Sequence, residues 1–179
     1  MKPAVPKPTF LISASELDAG GKEYALPIPN AWLTTALADS DATPLGEGGI
    51  DVRLSRSGTD VVVHGKANAN VELPCARCLE PVKVTLNPEI SVLMVPAAKI
   101  KHQREHEMAS SEADVLPFDG ENVVLDDLVR DDLLLEIPMI PLCSEDCPGI
   151  ASAHAKEESK PVDPRLAPLL RLKREKEKE

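Results

Sequence analysis

The feature that most constrains this chain is a pair of cysteines set between two runs of strand-like sequence. Residues 71–82 read V-E-L-P-C-A-R-C-L-E-P-V, so a Cys-x-x-Cys turn is flanked by prolines and by alternating apolar residues. Such alternation is typical of half-buried strands. The other cysteines of the chain, Cys143 and Cys147, lie far downstream. Any site that uses all four thiols therefore requires a fold that brings these two segments together.

Composition and charge indicate a soluble protein with an acidic surface. The 179 residues are 42% apolar and only 2% aromatic, which allows one domain whose core is built mainly from Val, Leu, Ile and Ala. A net charge of −10 disfavours non-specific binding to phosphate backbones and suits a basic partner.

The chain shows no signal for export or membrane insertion. Its N-terminus is rich in proline and lysine, and no segment approaches the roughly 20 apolar residues of a membrane span. We therefore expect a cytoplasmic protein with no membrane contact. Because thiols stay reduced in that compartment, the cysteines favour metal binding or redox chemistry over a disulfide.

The apolar pattern predicts an α+β fold that is dominated by an antiparallel sheet. Residues 50–95 contain alternating runs joined by short turns, and sequential strands joined in this way usually pair antiparallel. We expect a β-meander, either open or curled into a barrel, with a bulge at Gly65. A short N-terminal helix is expected over residues 31–38, with Asn30 as its N-cap.

The main helix is predicted over residues 125–137, where apolar residues recur at helical spacing on one face. The other face carries acids and a single arginine, and those acids are Asp126, Asp127, Asp131 and Asp132. An exposed, solvated surface is the ordinary interpretation of such a face. Contact with a partner is the alternative.

The remaining segments indicate how the chain is divided. We expect a flexible lead over residues 1–8, one domain over 9–150 with a flexible loop at 97–113, a linker over 151–162, and a C-terminal helical extension with a charged tail over 163–179. The loop and the linker are polar and have no apolar face. The last segment has leucines at helical spacing.

The cysteine spacing is compatible with a closed zinc site. A Cys-x-x-Cys turn lets two thiolates converge on one tetrahedral ion, and the looser spacing of Cys143 and Cys147 can do the same. Spacing alone leaves two interpretations open. Either four thiolates bind one metal ion, or the four cysteines are reduced, partly buried thiols without a metal. No glycine follows Cys78 at the position where such turns usually have one.

Enzymatic and redox chemistry have less support. A thioredoxin-like site would place Cys-x-x-Cys between a strand and a long helix, whereas this pair lies between strands. The chain has no nucleophile elbow, phosphate-binding loop or dinucleotide fingerprint. We therefore predict no enzyme and no small-molecule substrate.

Taken together, these motifs resemble the YceD family of bacterial proteins, which are linked to accumulation of large-subunit ribosomal RNA. The likeness rests on C-A-R-C-L-E-P at residues 75–81, L-D-D-L-V-R-D-D-L-L-L at 125–135, P-M-I-P-L-C at 138–143 and D-C-P-G at 146–149. Many relatives then carry a further C-P-x-C-G. This chain has His154 in place of the second of those cysteines, which makes His154 a candidate to replace one of the four cysteine ligands.

The resemblance implies a non-enzymatic factor that supports large ribosomal subunit biogenesis and 23S rRNA accumulation. Because the chain is acidic, we expect its partner to be a basic ribosomal or assembly protein, bound by the acidic face of the main helix. Direct contact with large-subunit rRNA through basic residues such as Arg77 is the second possibility. The alternative from another functional class is a small zinc- or thiol-dependent redox protein or enzyme.

Overall fold

A computed structural model of the protein describes residues 8–99 and 115–150. The chain divides into two compact units, Met1–Cys147 and Pro148–Glu179, and the fold described here is that of the first unit. Its elements are β1 (Leu11–Ser13), β2 (Lys22–Ile28), α1 (Asn30–Ala36), β3 (Thr43–Pro44), β4 (Gly48–Ser57), β5 (Asp60–Pro74), β6 (Pro81–Leu86), β7 (Glu89–Pro96), β8 (Val115–Phe118), β9 (Asn122–Val124) and α2 (Asp126–Glu136). The α+β class is therefore confirmed.

The long strand β5 is the centre of the sheet. Its first half pairs antiparallel with β4 on one side and β7 on the other, and its second half pairs antiparallel with β3 and β6. The strand order along the main path is β2-β4-β5-β7-β8. The amide of Ala67 donates to the carbonyl of Pro88 at 3.1 Å, which places the β6–β7 connection beside the middle of β5.

The sheet is open, so the barrel alternative is not supported. Its path begins at β2 and ends at β8, which pairs with β7 in parallel. Two strands that pair in parallel cannot be joined by a tight hairpin, so β7 and β8 need a longer connection. The strands β1 and β9 form a separate antiparallel pair.

Gly65 does not form the bulge that its position in the sequence predicts. The register runs without interruption through Gly65, which pairs with Val52 of β4 and Ile90 of β7. A Cβ atom added at Gly65 would overlap the carbonyl oxygen of Asp51 and the Cα atom of Val52. Glycine is therefore required here because the neighbouring backbone passes too close for any side chain.

The core lies on one face of the sheet, under α2. Alternate residues of β5 are buried from Val61 to Leu73, apart from the half-buried Gly65, as the two-residue period of a strand requires. The helix contributes Leu128, Val129 and Leu133 to the same core. The helix α2 begins one residue after the predicted start and ends one residue before the predicted end.

The short helix α1 begins one residue earlier than predicted, and Asn30 is not its N-cap. Pro29 occupies the cap position. The Asn30 side chain instead donates from Nδ2 to the carbonyl of Gly46 at 2.9 Å. Within residues 8–99 and 115–150, no helix is long and apolar enough to cross a membrane.

Candidate metal centre

The first cysteine turn grows directly out of the buried face of β5. Because the buried residues of this strand are the odd-numbered ones, Cys75 continues the row beyond Leu73 and is itself fully buried. Its amide donates to the carbonyl of Glu80 at 2.8 Å, and its carbonyl accepts from the amide of Leu79 at 3.0 Å. These bonds close the turn that connects β5 to β6, and they fix the direction of Cys78.

Leu79 has the backbone conformation that a glycine would adopt more easily. Its φ is +64°, and among the described residues it is the only non-glycine residue with positive φ. The left-handed region brings Cβ close to the carbonyl oxygen and costs roughly 1–2 kcal/mol for such a residue. The turn therefore forms although no glycine follows Cys78, and the backbone of Leu79 is strained.

The second cysteine turn begins after Pro138 and contacts the first one through its backbone. The amide of Ala76 donates to the carbonyl of Pro141 at 2.8 Å, and the amide of Cys147 donates to the carbonyl of Ser144 at 3.1 Å. Arg77 adds a second link, because its Nη1 donates to the carbonyls of Glu145 at 3.0 Å and of Cys147 at 3.1 Å. The fold thus brings together two segments that are distant in sequence.

The four sulfur atoms have the spacing of a tetrahedral site. All four Sγ atoms lie within 4.8 Å of one another. Cys75 Sγ is 3.9 Å from Cys147 Sγ, and Cys78 Sγ is 3.7 Å from Cys143 Sγ. Zn–S bonds of about 2.3 Å in a tetrahedron place sulfur atoms about 3.8 Å apart. Since a disulfide needs about 2.05 Å, these are free thiols in a geometry that fits zinc.

Backbone amides surround Cys75 and stabilise its thiolate. The amides of Cys78, Arg77 and Cys143 lower the pKa of Cys75, and the last two lie 3.5 Å from its Sγ. At Cys78, a bond from the amide of Glu80 acts to lower the pKa, but burial and the neighbouring thiols raise it overall. Four thiols this close cannot all ionise without a cation, which a divalent metal would supply.

Asp126 has a contact role that the sequence did not reveal. Its carboxylate accepts from the amides of Thr9 and Phe10 at 2.9 and 2.8 Å, and from Nε1 of Trp32 at 3.1 Å. The ring of Phe10 packs edge-on against that of Trp32, with centroids 5.2 Å apart. Asp126 thus joins the first residues of the described chain and α1 to the start of α2. The sequence offered one signal for this contact, because the indole N–H of a half-buried tryptophan needs a hydrogen-bond acceptor.

The other acids predicted to bind a partner differ in exposure. Asp127 and Asp131 are exposed, whereas Asp132 is half-buried. Burial, and then the nearby Asp131, raise the pKa of Asp132. Arg77 is exposed, but its guanidinium is bound to the second cysteine turn. His154 lies outside the described residues.

Comparisons with known proteins point to one family. The chain matches the family described as "Large ribosomal RNA subunit accumulation protein YceD" over residues 63–173. Uncharacterized proteins of Mycobacterium bovis and Mycobacterium tuberculosis are 26% identical over 131 residues, which is 69% of this chain and 60% of each relative. An uncharacterized protein of Mycobacterium leprae is 29% identical over 107 residues, or 58% of this chain and 45% of the relative.

The chain therefore spans at most 60% of the length of these curated relatives. No solved structure matches it. The family match covers more than half of the chain and includes both cysteine turns and α2. The chain belongs to the YceD family.

Proposed function

We propose that this protein is a non-enzymatic factor that supports the accumulation of 23S rRNA and the biogenesis of the large ribosomal subunit. The single observation that carries this proposal is the family match over residues 63–173, whose printed description names large-subunit rRNA accumulation. The matched segment contains all four cysteines and the acidic helix. These two features are the parts of the molecule to which we assign roles.

The role of the cysteines in this proposal is structural zinc binding by Cys75, Cys78, Cys143 and Cys147. The support is the sulfur spacing and the four-thiolate donor set, which leaves no ligand position open for a substrate. Bound zinc would join the end of β5 to the segment after α2. With four cysteines present, His154 is not needed to complete the ligand set.

The role of the acidic helix is to bind a basic ribosomal or assembly protein. Asp127 and Asp131 are exposed and free to face such a partner, while Asp126 is held by three hydrogen bonds within the fold. Complementary charge would speed association and select the partner. Contact with rRNA would have to overcome the repulsion between these acids and the phosphates.

A thiol-dependent redox protein is the alternative. The observation in its favour is the set of backbone amides that stabilise the Cys75 thiolate. Against it, Cys75 is buried, so attack by its thiolate on a substrate disulfide would need the site to open. A folded protein that contains no zinc and whose cysteines react quickly with iodoacetamide would favour this alternative.

The test of the proposed function is the ratio of 23S to 16S rRNA in cells that lack the protein. We expect a selective fall in 23S rRNA that a plasmid copy of the wild-type chain restores. A parallel copy that carries Cys75→Ser and Cys78→Ser should restore it poorly. An unchanged ratio across several growth temperatures would contradict the proposal.

A further inference from the structure

We infer that an apolar groove beside the cysteine turns binds a short segment of a partner protein that combines large apolar side chains with lysine or arginine. That the partner is a ribosomal or assembly protein of the large subunit rests on the function proposed above. The docking chemistry itself is argued from the groove. We call it the knuckle groove, and the residues that line it include Pro74, Ala76, Leu79, Ile137, Met139 and Pro141.

The knuckle groove is formed by both cysteine turns. It has a volume of about 330 Å³, and its two walls come from residues 73–79 and from residues 137–141. The hydrogen bond from the amide of Ala76 to the carbonyl of Pro141 connects the two walls. A groove of this origin keeps its shape only while the two turns stay together.

Two of the most exposed large apolar side chains of the described residues line this groove. Met139 is 92% exposed and Leu79 is 64% exposed, and both line it. Ile140, which follows Met139 in the sequence, is 69% exposed. Exposed apolar side chains that line a groove are the surface that an interaction site uses.

The charges around the groove select a basic occupant. Asp41 is the one charged residue among those that line it. An exposed acid borders each wall in the sequence: Glu80 follows Leu79, and Glu136 precedes Ile137. The nearby cation, Arg77, already donates to backbone carbonyls.

This charge distribution also decides between the possible occupants. A second copy of the chain would bring its own acids against these acids, and RNA would bring phosphates. A segment with lysine or arginine beside leucine, isoleucine or phenylalanine satisfies both the apolar floor and the acidic rim. The knuckle groove therefore fits a basic, amphipathic protein segment.

The experiment uses 15-residue peptides that tile the large-subunit ribosomal proteins, probed with the zinc-loaded full-length chain. Peptides with a positive net charge and at least two large apolar residues should bind. The strongest binder is then labelled, and its affinity is measured by fluorescence polarisation at two salt concentrations. Zinc chelation should abolish the binding, and higher salt should weaken it.

Two double variants separate the groove from exposed apolar surface in general. Leu79→Ser with Met139→Ser should weaken peptide binding about tenfold or more, because it removes the two exposed apolar side chains that line the groove. Leu11→Ser with Val62→Ser changes exposed residues of β1 and β5, and it should change binding less than about twofold. Melting curves of both variants confirm that each is folded.

The inference would be overturned if no peptide binds, if the groove variant binds as well as the wild type, or if the control variant loses as much binding as the groove variant. It would also be overturned if the chain self-associates and the groove variant abolishes that self-association. Binding of a labelled 23S rRNA fragment that depends on the groove would overturn it as well. If loss of the gene lowers 23S rRNA but the groove variant restores it fully, the inference fails while the proposed function stands. If loss of the gene leaves rRNA unchanged but the groove still binds basic peptides, the proposed function fails and the docking chemistry stands.

Discussion

The sulfur atoms of Cys75 and Cys147 lie 3.9 Å apart although 72 residues separate them in the chain. One is the last residue of the buried row that runs along β5, and the other belongs to the turn that follows α2. This pair connects the sheet to the segment beyond the helix at the point where the knuckle groove forms.

Removal of the metal should destabilise the fold strongly. Protein purified without chelator should contain about one zinc ion per chain, and chelation or Cys75→Ser should lower the melting temperature on the order of 10 °C or more, because structural zinc sites contribute several kcal/mol. Elemental analysis and calorimetry measure the two effects. Ala76→Ser, which alters the same turn and keeps all four thiols, serves as the control and should retain its zinc.

Leu79→Gly should stabilise the zinc-loaded protein by up to about 1 kcal/mol. The substitution removes the strain of a left-handed leucine, and the greater chain entropy of glycine in the unfolded state offsets part of that gain. Urea denaturation measures the change in the free energy of unfolding. Ala76→Gly in the same turn has no positive φ to relieve and should destabilise the protein. A Leu79→Gly variant less stable than the wild type would contradict the assigned backbone conformation.

Asp126→Asn should lower the free energy of unfolding by about 1–3 kcal/mol. The amide cannot accept all three hydrogen bonds that the carboxylate accepts from Thr9, Phe10 and Trp32. Trp32 is the only tryptophan, so its fluorescence reports on the loss directly. Asp127→Asn changes an exposed neighbour and should alter stability by less than about 0.5 kcal/mol.

Asp132→Asn should stabilise the protein at neutral pH and have no such effect in acid. Burial and the neighbouring Asp131 raise the pKa of Asp132 in the folded state. Its ionised form therefore opposes folding above the folded pKa, and this penalty disappears as the pH falls below about 4, the ordinary value of an aspartate. Melting temperatures measured from pH 3 to pH 8 give the comparison. An equal shift at every pH would show that the effect does not come from ionisation.

Reversing the charge of the exposed helix face should weaken association with large-subunit precursors. Asp127→Lys with Asp131→Lys reverses the charge of the two exposed aspartates of α2 and leaves the hydrogen bonds of Asp126 in place. Co-sedimentation in sucrose gradients should fall, and its dependence on salt should become weaker. Glu23→Lys with Asp51→Lys makes the same change in charge on β2 and β4, and it should co-sediment as the wild type does.

Local sequence patterns predicted the elements well because they report local preferences. Alternation located the strand that became β5, and helical spacing located α2 to within one residue at each end. The fold class followed from the same patterns. The spacing of the cysteines left open whether the two pairs meet, and the structure places all four sulfur atoms within 4.8 Å of one another.

What the sequence missed depends on contacts between distant segments. The parallel pairing of β8 with β7 and the openness of the sheet are set by how the layers pack, which alternation does not encode. The function of Gly65 depends on the backbone of β4 beside it. The carboxylate of Asp126 looked like part of a surface face because Trp32, its partner, is 94 residues away.

The central position of β5 has a consequence for the order in which the molecule assembles as it is synthesised. Strands β2 to β7 and the first cysteine turn are all encoded before residue 97, so they can pair while the rest of the chain is still being translated. Cys143 and Cys147 leave the ribosome last among the residues of the first unit. If the four cysteines bind zinc as proposed, capture of the metal would be the last step of folding, and the knuckle groove would form only after the whole first unit has been translated.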